Sequence, residues 1–162
     1  SDLGDSAQAL LDKGADVIAM HQDSTAAGEK AEAAGARWVS YNSDMSAFAP
    51  NAFLTAPVWD WGPRYVEIIE AAKAGTYKPD SYWGSMADGV VDIADIAADV
   101  DAGVKAAVAD KKAAIIAGNF HVFSGPINDQ DGHLVVAAGE TMDDGSMLGM
   151  DFFVEGVIGS TG

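Results

Sequence analysis

Residues 14–24 read GADVIAMHQDS. Gly14 stops a preceding helix, Asp16 to Met20 is a short apolar run of the buried-strand type, and His21-Gln22-Asp23-Ser24 is a polar turn after it. The stretch decides the fold because its rhythm recurs on both sides. Upstream, Asp5 or Ser6 can cap a short helix with Ala7, Leu10 and Leu11 on one face. Downstream, Ser24 opens an Ala-rich helix ending at Gly35, and Arg37 to Tyr41 reads as the next strand. Phe53 to Val58 is a third strand candidate. Pro63 then starts a helix with Tyr65, Ile68, Ile69 and Ala72 on one face, ending at Gly75. Strands alternating with helices predict an α/β fold: a parallel sheet with helices on both faces.

After Gly75 the rhythm changes. Tyr82 to Ile96 holds β-type residues around Gly84 and Gly89. A helix follows with Val100, Val104 and Val108 in one stripe and Asp101 and Lys105 as an exposed pair. Phe120 to Phe123 and Leu134 to Ala137 read as two strands, with a loop ending in Asp131-Gly132 between them. Thr141-Met142-Asp143-Asp144 fits a capping box for a last short helix. These elements are too few to close a core alone, so they are expected to pack against residues outside this sequence or against another chain.

Composition removes several classes. Apolar residues make up 49% of the 162, enough for a packed core, so disorder is excluded despite the charge. Nine basic against 25 acidic residues leave a net charge of -16, which repels phosphate backbones and anionic headgroups. Nucleic acid is therefore not an expected partner. The absence of cysteine excludes disulfides, a thiolate nucleophile and thiolate-bound zinc. No apolar run reaches the roughly 18 residues of a membrane span. The first residues are acidic and do not read as a signal peptide, so the protein is expected to be cytosolic or to carry its export signal upstream.

In open parallel sheets ligands bind at the carboxyl ends of strands. Three predicted turns fall there: His21-Gln22-Asp23-Ser24, Asn42-Ser43-Asp44-Met45 and Trp59-Asp60-Trp61. Together they offer donors, acceptors, carboxylates and indole faces, a set that suits a planar polar heterocycle. Each also has a plain structural use. Asp23 or Ser24 can cap a helix, Asn42 and Asp44 can form turns, and one of Trp59 and Trp61 can belong to the core. Asp88-Gly89 is either a placed carboxylate or an ordinary turn. His21, His121 and His133 lack ligand spacing, so no metal site is expected. Asn128 to Gly132 lacks the oxygen pattern of a calcium loop and reads as a hairpin turn. No nucleophile elbow, phosphate loop or dinucleotide fingerprint is present, so neither catalytic residues nor a cofactor are expected.

Taken in order, GADVIAMHQDS, YNSDMSAFAP, APVWDWGPRY, YWGSMADGVVDI, AGNFHVFSGPINDQDG and MDFFVEGVIG resemble the basic membrane lipoprotein (Bmp, PnrA-like) family of ABC-importer substrate-binding proteins, from about Lys13 to Gly159. The resemblance implies a type I periplasmic-binding-protein fold: two α/β lobes joined by crossovers, with ligand in the cleft between them. Characterised members bind purine bases or nucleosides without catalysis, and they are about twice this length. The chain resembles their C-terminal half. Residues 1–95 would form the distal, Rossmann-like lobe, and residues 96–162 a return segment completing a first lobe supplied by the N-terminal half. Signal and lipid anchor would lie in that half, and the protein would be periplasmic or otherwise extracytoplasmic, lipid-anchored or soluble.

Under the resemblance Asp23, Asp44 and Trp59-Asp60-Trp61 become cleft-facing. Trp59 is favoured over Trp61 as the ring that stacks on a base, and Asp88 falls where the family places a ligand-contacting carboxylate. His21, Gln22 and Asn42 are secondary edge contacts. The implied partners are a purine base or nucleoside, the ABC permease and the N-terminal half. A sugar or signal-molecule receptor of the same fold is the alternative, and a nucleoside-processing α/β enzyme ranks last.

Overall fold

In the computed structural model, which describes residues 2–160, β1 (Val17–Ala19), β2 (Arg37–Val39) and β3 (Phe53–Thr55) lie side by side and parallel. Their register sets Ile18 beside Trp38 and Trp38 beside Phe53, and all three are buried. This apolar row is the centre of the core. The helix α2 (Ala26–Ala34) covers it through Ala27, Gly28 and Ala31. At Gly28 a Cβ would strike the Trp38 indole, so only glycine lets the helix come this close. Gly35, at φ 70°, ends α2 in the left-handed conformation that glycine adopts without penalty.

The helix α1 (Asp2–Asp12) packs on α2 and β1. It begins before Asp5 and Ser6, so neither is its N-cap; the Ser6 hydroxyl donates back to the Asp2 carbonyl. Ala7 is buried and Leu11 packs at the core, whereas Leu10 points to solvent.

From Phe53 to Trp59 the chain stays extended but changes partner at Ala56. After β3, β4 (Pro57–Trp59) pairs antiparallel with β5 (Val91–Ile93). Ala94 N–H bonds the Ala56 carbonyl, and the Thr55 hydroxyl bonds the Ala94 carbonyl. The single strand expected over Phe53 to Val58 is therefore two. Thr55 still bonds toward Ser40, but Pro57, next on that side, has no N–H to continue the ladder. Tyr82 to Ile96 is mostly loop, with β5 its one strand.

Among the described residues, helices do not cover both faces of the sheet. The helix α3 (Gly62–Lys73) has the expected stripe but buries none of it, and Tyr65, Val66 and Ile69 stand exposed. Its period makes an apolar face, but no described element covers it. Similarly, α4 (Ala102–Ile116) leaves Val104 exposed, and the expected Asp101–Lys105 pair does not form. Asp101 caps the N–H groups of Gly103 and Val104, and Lys105 Nζ donates to the Ala98 carbonyl.

Backbone contacts divide the chain after Lys112. The unit from Ala113 onward holds a hairpin of β6 (Ile127–Asn128) and β7 (Leu134–Val136) and the short α5 (Asp144–Leu148). The turn containing Asp131-Gly132 joins those two strands. The expected strand at Phe120 to Phe123 is instead turn and loop, tied by a single bridge at Ser124 to Thr141. Asp143, not Thr141, caps α5, accepting from Ser146 N–H at 2.7 Å. Val122 and Leu134 are largely exposed. No helix among the described residues is long and apolar enough to cross a membrane.

Candidate ligand site at the strand ends

The loops after β1, β2 and β4 meet at one edge, and their side chains make the connection. His21 Nε2 shares a 2.8 Å hydrogen bond with the Tyr41 hydroxyl, and the two rings meet edge to face at 4.4 Å. Next to Tyr41, Asn42 Oδ1 accepts from Trp59 Nε1 at 2.6 Å. Indole N–H can only donate, so this bond fixes the Asn42 amide with its NH2 group turned away from Trp59. Asn42 adopts φ 66°, the only positive φ outside glycine among the described residues. Asparagine is one of the few residues that tolerates that region, and such conformations concentrate where a side chain must be aimed.

Trp59 is 42% exposed, so its N–H is satisfied while a large part of its ring stays available to solvent. Beyond it, Asp60 Oδ1 accepts from Gly62 N–H in the turn that leads into α3, whose N-cap is Trp61. Trp61 turns along that helix to stack on Tyr65 at 6.5 Å and meets Tyr82 edge-on at 6.1 Å. Trp61, Tyr65, Tyr82 and Trp83 are all exposed. One edge thus carries an imidazole–phenol pair and an amide–indole pair, and the start of α3, two residues past Trp59, carries an aromatic group.

The other candidates fall differently. Gln22 and Asp23 are exposed on the loop after β1; Ser24 Oγ accepts from Ala26 N–H in the turn before α2, whose N-cap is Thr25, so neither Asp23 nor Ser24 is the cap. Asp44 is committed to its own turn. The Ser46 hydroxyl and N–H hold its carboxyl below the ordinary carboxylate value. It borders a cavity of about 560 Å3 with Pro50, Asn51, Phe53 and residues 95–99. Asp88 is likewise lowered by the Ser85 hydroxyl and N–H, at 2.7 and 2.8 Å, both on Oδ2.

Tyr41 and Tyr82 are absent from the expected site. Tyr41 was counted as the end of a strand, yet its place between that strand and Asn42 is a signal that residues beyond β2 had turned to the edge. Tyr82 had no local signal, because its contacts come from α3. In the second unit, ligand atoms of Asp129, Asp131 and His133 lie within 4.8 Å of one another. There Asp129 already accepts from the N–H groups of Asp131 and His133 and pairs with the His133 ring.

An α/β lobe gathering aromatic and amide groups at the carboxyl edge of its sheet has the make-up of a small-molecule binding domain. The chain belongs to the family of PnrA-like (Bmp) ABC transporter substrate-binding proteins, which matches residues 3–120. It is 42% identical over 153 residues to a purine-binding protein of Brucella abortus (strain 2308), covering 94% of this chain and 43% of that one. It is 34% identical over 155 residues to a putative ABC transporter glucose-binding protein of Haloferax volcanii, covering 96% of this chain and 37% of that one. The chain spans about two fifths of the length of these relatives.

Among solved structures, it is similar to a transcriptional activator of the comK gene from Bacillus halodurans, with TM-score 0.64 and 19% identity over 73% of this chain and 42% of that one. An ABC transporter solute-binding protein from Conexibacter woesei matches at TM-score 0.57 and 21% identity, over 74% of this chain and 41% of that one. At these identities the likeness is one of fold. That fold is α/β, of the periplasmic-binding-protein type.

Proposed function

We propose that this chain supplies one lobe of an ABC-importer solute-binding protein whose ligand is a purine base or nucleoside. The carrying observation is the Asn42–Trp59 pair: an exposed indole face beside an amide whose NH2 is left to donate. A purine is flat enough to stack on the indole, and its ring nitrogens accept from such an amide. The Brucella relative, a purine-binding protein, supports the same class of ligand.

On this reading residues 1–95 form the ligand lobe, and residues 96–162 return toward a first lobe made by the N-terminal half. Ligand bridges the two lobes, favours the closed state, and that state is presented to the permease outside the cytoplasm. Exposed apolar residues on α3, at Val122 and at Leu134 agree with surfaces that another polypeptide segment covers. Asp44 and Asp88, both held toward the charged form by their serine neighbours, suit acceptors of hydrogen bonds better than donors.

Glucose is the second reading, favoured by the Haloferax relative and by the same indole, which can also face a sugar ring. Calorimetry on the full-length protein separates them. Adenine, hypoxanthine, adenosine, guanosine or inosine should bind, raise thermal stability as RT ln(1 + [L]/Kd), and be recovered unchanged. Binding of glucose with no response to any purine would remove purines from the account. Release of free base from a nucleoside would restore the enzyme alternative.

A further inference from the structure

Arg64 breaks a local rule. It lies in the first turn of α3, where the helix dipole disfavours a cation. Its side chain is only 13% exposed, and among the described residues its Nε is buried without a hydrogen-bond partner. Such a residue is unfavourable for the helix, so compensation must lie in what the guanidinium holds. One arm donates to Glu67 at 2.8 Å. The other forks onto both carboxylate oxygens of Asp80, at 2.6 and 2.7 Å. The guanidinium carbon sits 4.5 Å from the centre of the Tyr82 ring, whose edge contacts Trp61.

The segment so held has few other ties. Thr76 and Tyr77 N–H bond the Ala71 carbonyl, but among the described residues no backbone group from Lys78 to Gly84 has a backbone partner. Order resumes where Ser85 meets Asp88. Between those points Arg64 reaches the segment twice, through Asp80 and through Tyr82.

We propose that Arg64 is a positioning residue: by gripping Asp80 and covering Tyr82 it fixes residues 78–83 against the start of α3, and so sets Tyr82 and Trp61 as one wall of the ligand site. The ligand part rests on the site reading above; the grip on the segment does not. The guanidinium donates from two nitrogens to Glu67 and Asp80 while its carbon stands over a phenol ring, a span that a single lysine ammonium cannot reproduce.

The test uses the full-length protein with three variants, Asp80→Asn, Arg64→Lys and Arg64→Ala. Asp80 is exposed, so Asp80→Asn keeps the test open if Arg64→Ala fails to fold. Limited chymotrypsin digestion with mass readout should show cleavage after Tyr82 and Trp83 at least about tenfold faster in Asp80→Asn and Arg64→Ala, with the melting temperature of the apo protein nearly unchanged. Arg64→Lys, which retains a charge but has one donor nitrogen where arginine uses two, should fall between. Adenine affinity should drop about five- to tenfold in the same order, because the wall is no longer preorganised. The near-ultraviolet circular dichroism of the Trp61–Tyr82 pair should weaken with it.

Cleavage unchanged in Asp80→Asn and Arg64→Ala would overturn the proposal. Faster cleavage with unchanged affinity would overturn the placing of Tyr82 in the site. A wild type that binds glucose and no purine would retire the purine reading alone, and cleavage together with glucose affinity would then judge Arg64.

Discussion

Trp38, on β2, and Trp59, on β4 of the separate two-stranded pair, do opposite work. Trp38 is 0% exposed, wedged against Gly28 and edge-on to Phe53, and its indole N–H has no partner among the described residues. Trp59 is 42% exposed, with its N–H given to Asn42. A tryptophan that leaves its polar atom unsatisfied is retained for its volume. One whose polar atom is tethered while its face stays open is oriented for contact. The same contrast separates two regions: the sheet under α1 and α2 is closed by small residues, whereas the stretch from Trp59 to Val90 is held by side-chain hydrogen bonds and ion pairs and keeps its aromatics outside.

The sharpest way to break this contrast is Trp38→Ala in the full-length protein. Loss of a fully buried indole should lower the free energy of unfolding by about 3–5 kcal/mol in urea titration. Trp59→Ala should cost much less. Comparable losses at both positions would make Trp59 a core residue and end the comparison.

Gly28→Val probes the same closed region from the helix side. Its added carbons meet the Trp38 ring, and overpacking of this kind costs about 1–3 kcal/mol in the same titration. Ligand affinity should not change once the protein is folded.

At the open region, Trp59→Ala should weaken purine binding about tenfold to a hundredfold by calorimetry, the magnitude of an aromatic–base stack. Trp59→Phe should recover most of it, since a phenyl face remains. If Trp59→Ala leaves affinity intact, the stacking role passes to Trp61.

The smallest effect concerns Asp88. The Ser85 hydroxyl and N–H hold its folded value below the ordinary carboxylate value of about 3.9, so the stabilisation is present above that pH and is lost as pH falls through the lower folded value. In Ser85→Ala the Asp88 titration followed by carbon NMR should move up toward the ordinary value. A midpoint unmoved by the substitution would mean that Ser85 does not hold the carboxylate.

Much of the closed region was legible in residues 1–40, because strand and helix periods there agree with burial. Ile18 and Trp38 lie in short apolar runs, and Gly14 and Gly35 stop their helices where positive φ demands it. The turns after β1 and β2 were legible for the same reason, since parallel strands carry their following loops to one edge; the turn after β4 reaches that edge through the Asn42–Trp59 bond, although β4 pairs antiparallel with β5. What was missed shares one cause. Nothing in the sequence around Phe53 to Trp59 says that the strand will change partner at Ala56, because the new partner lies more than thirty residues away, at β5.

The sequence by itself therefore determined the α/β rhythm, the acidic surface and the family, since each depends on local pattern or on motif order. Tertiary structure alone decided which polar groups are spent and which are left over. Asp44 is turned to Ser46, Asp88 to Ser85, and Trp59 is tied to Asn42. A carboxylate or an indole looks the same in a sequence whether or not its hydrogen bonds are already taken, and only folded geometry assigns the partners.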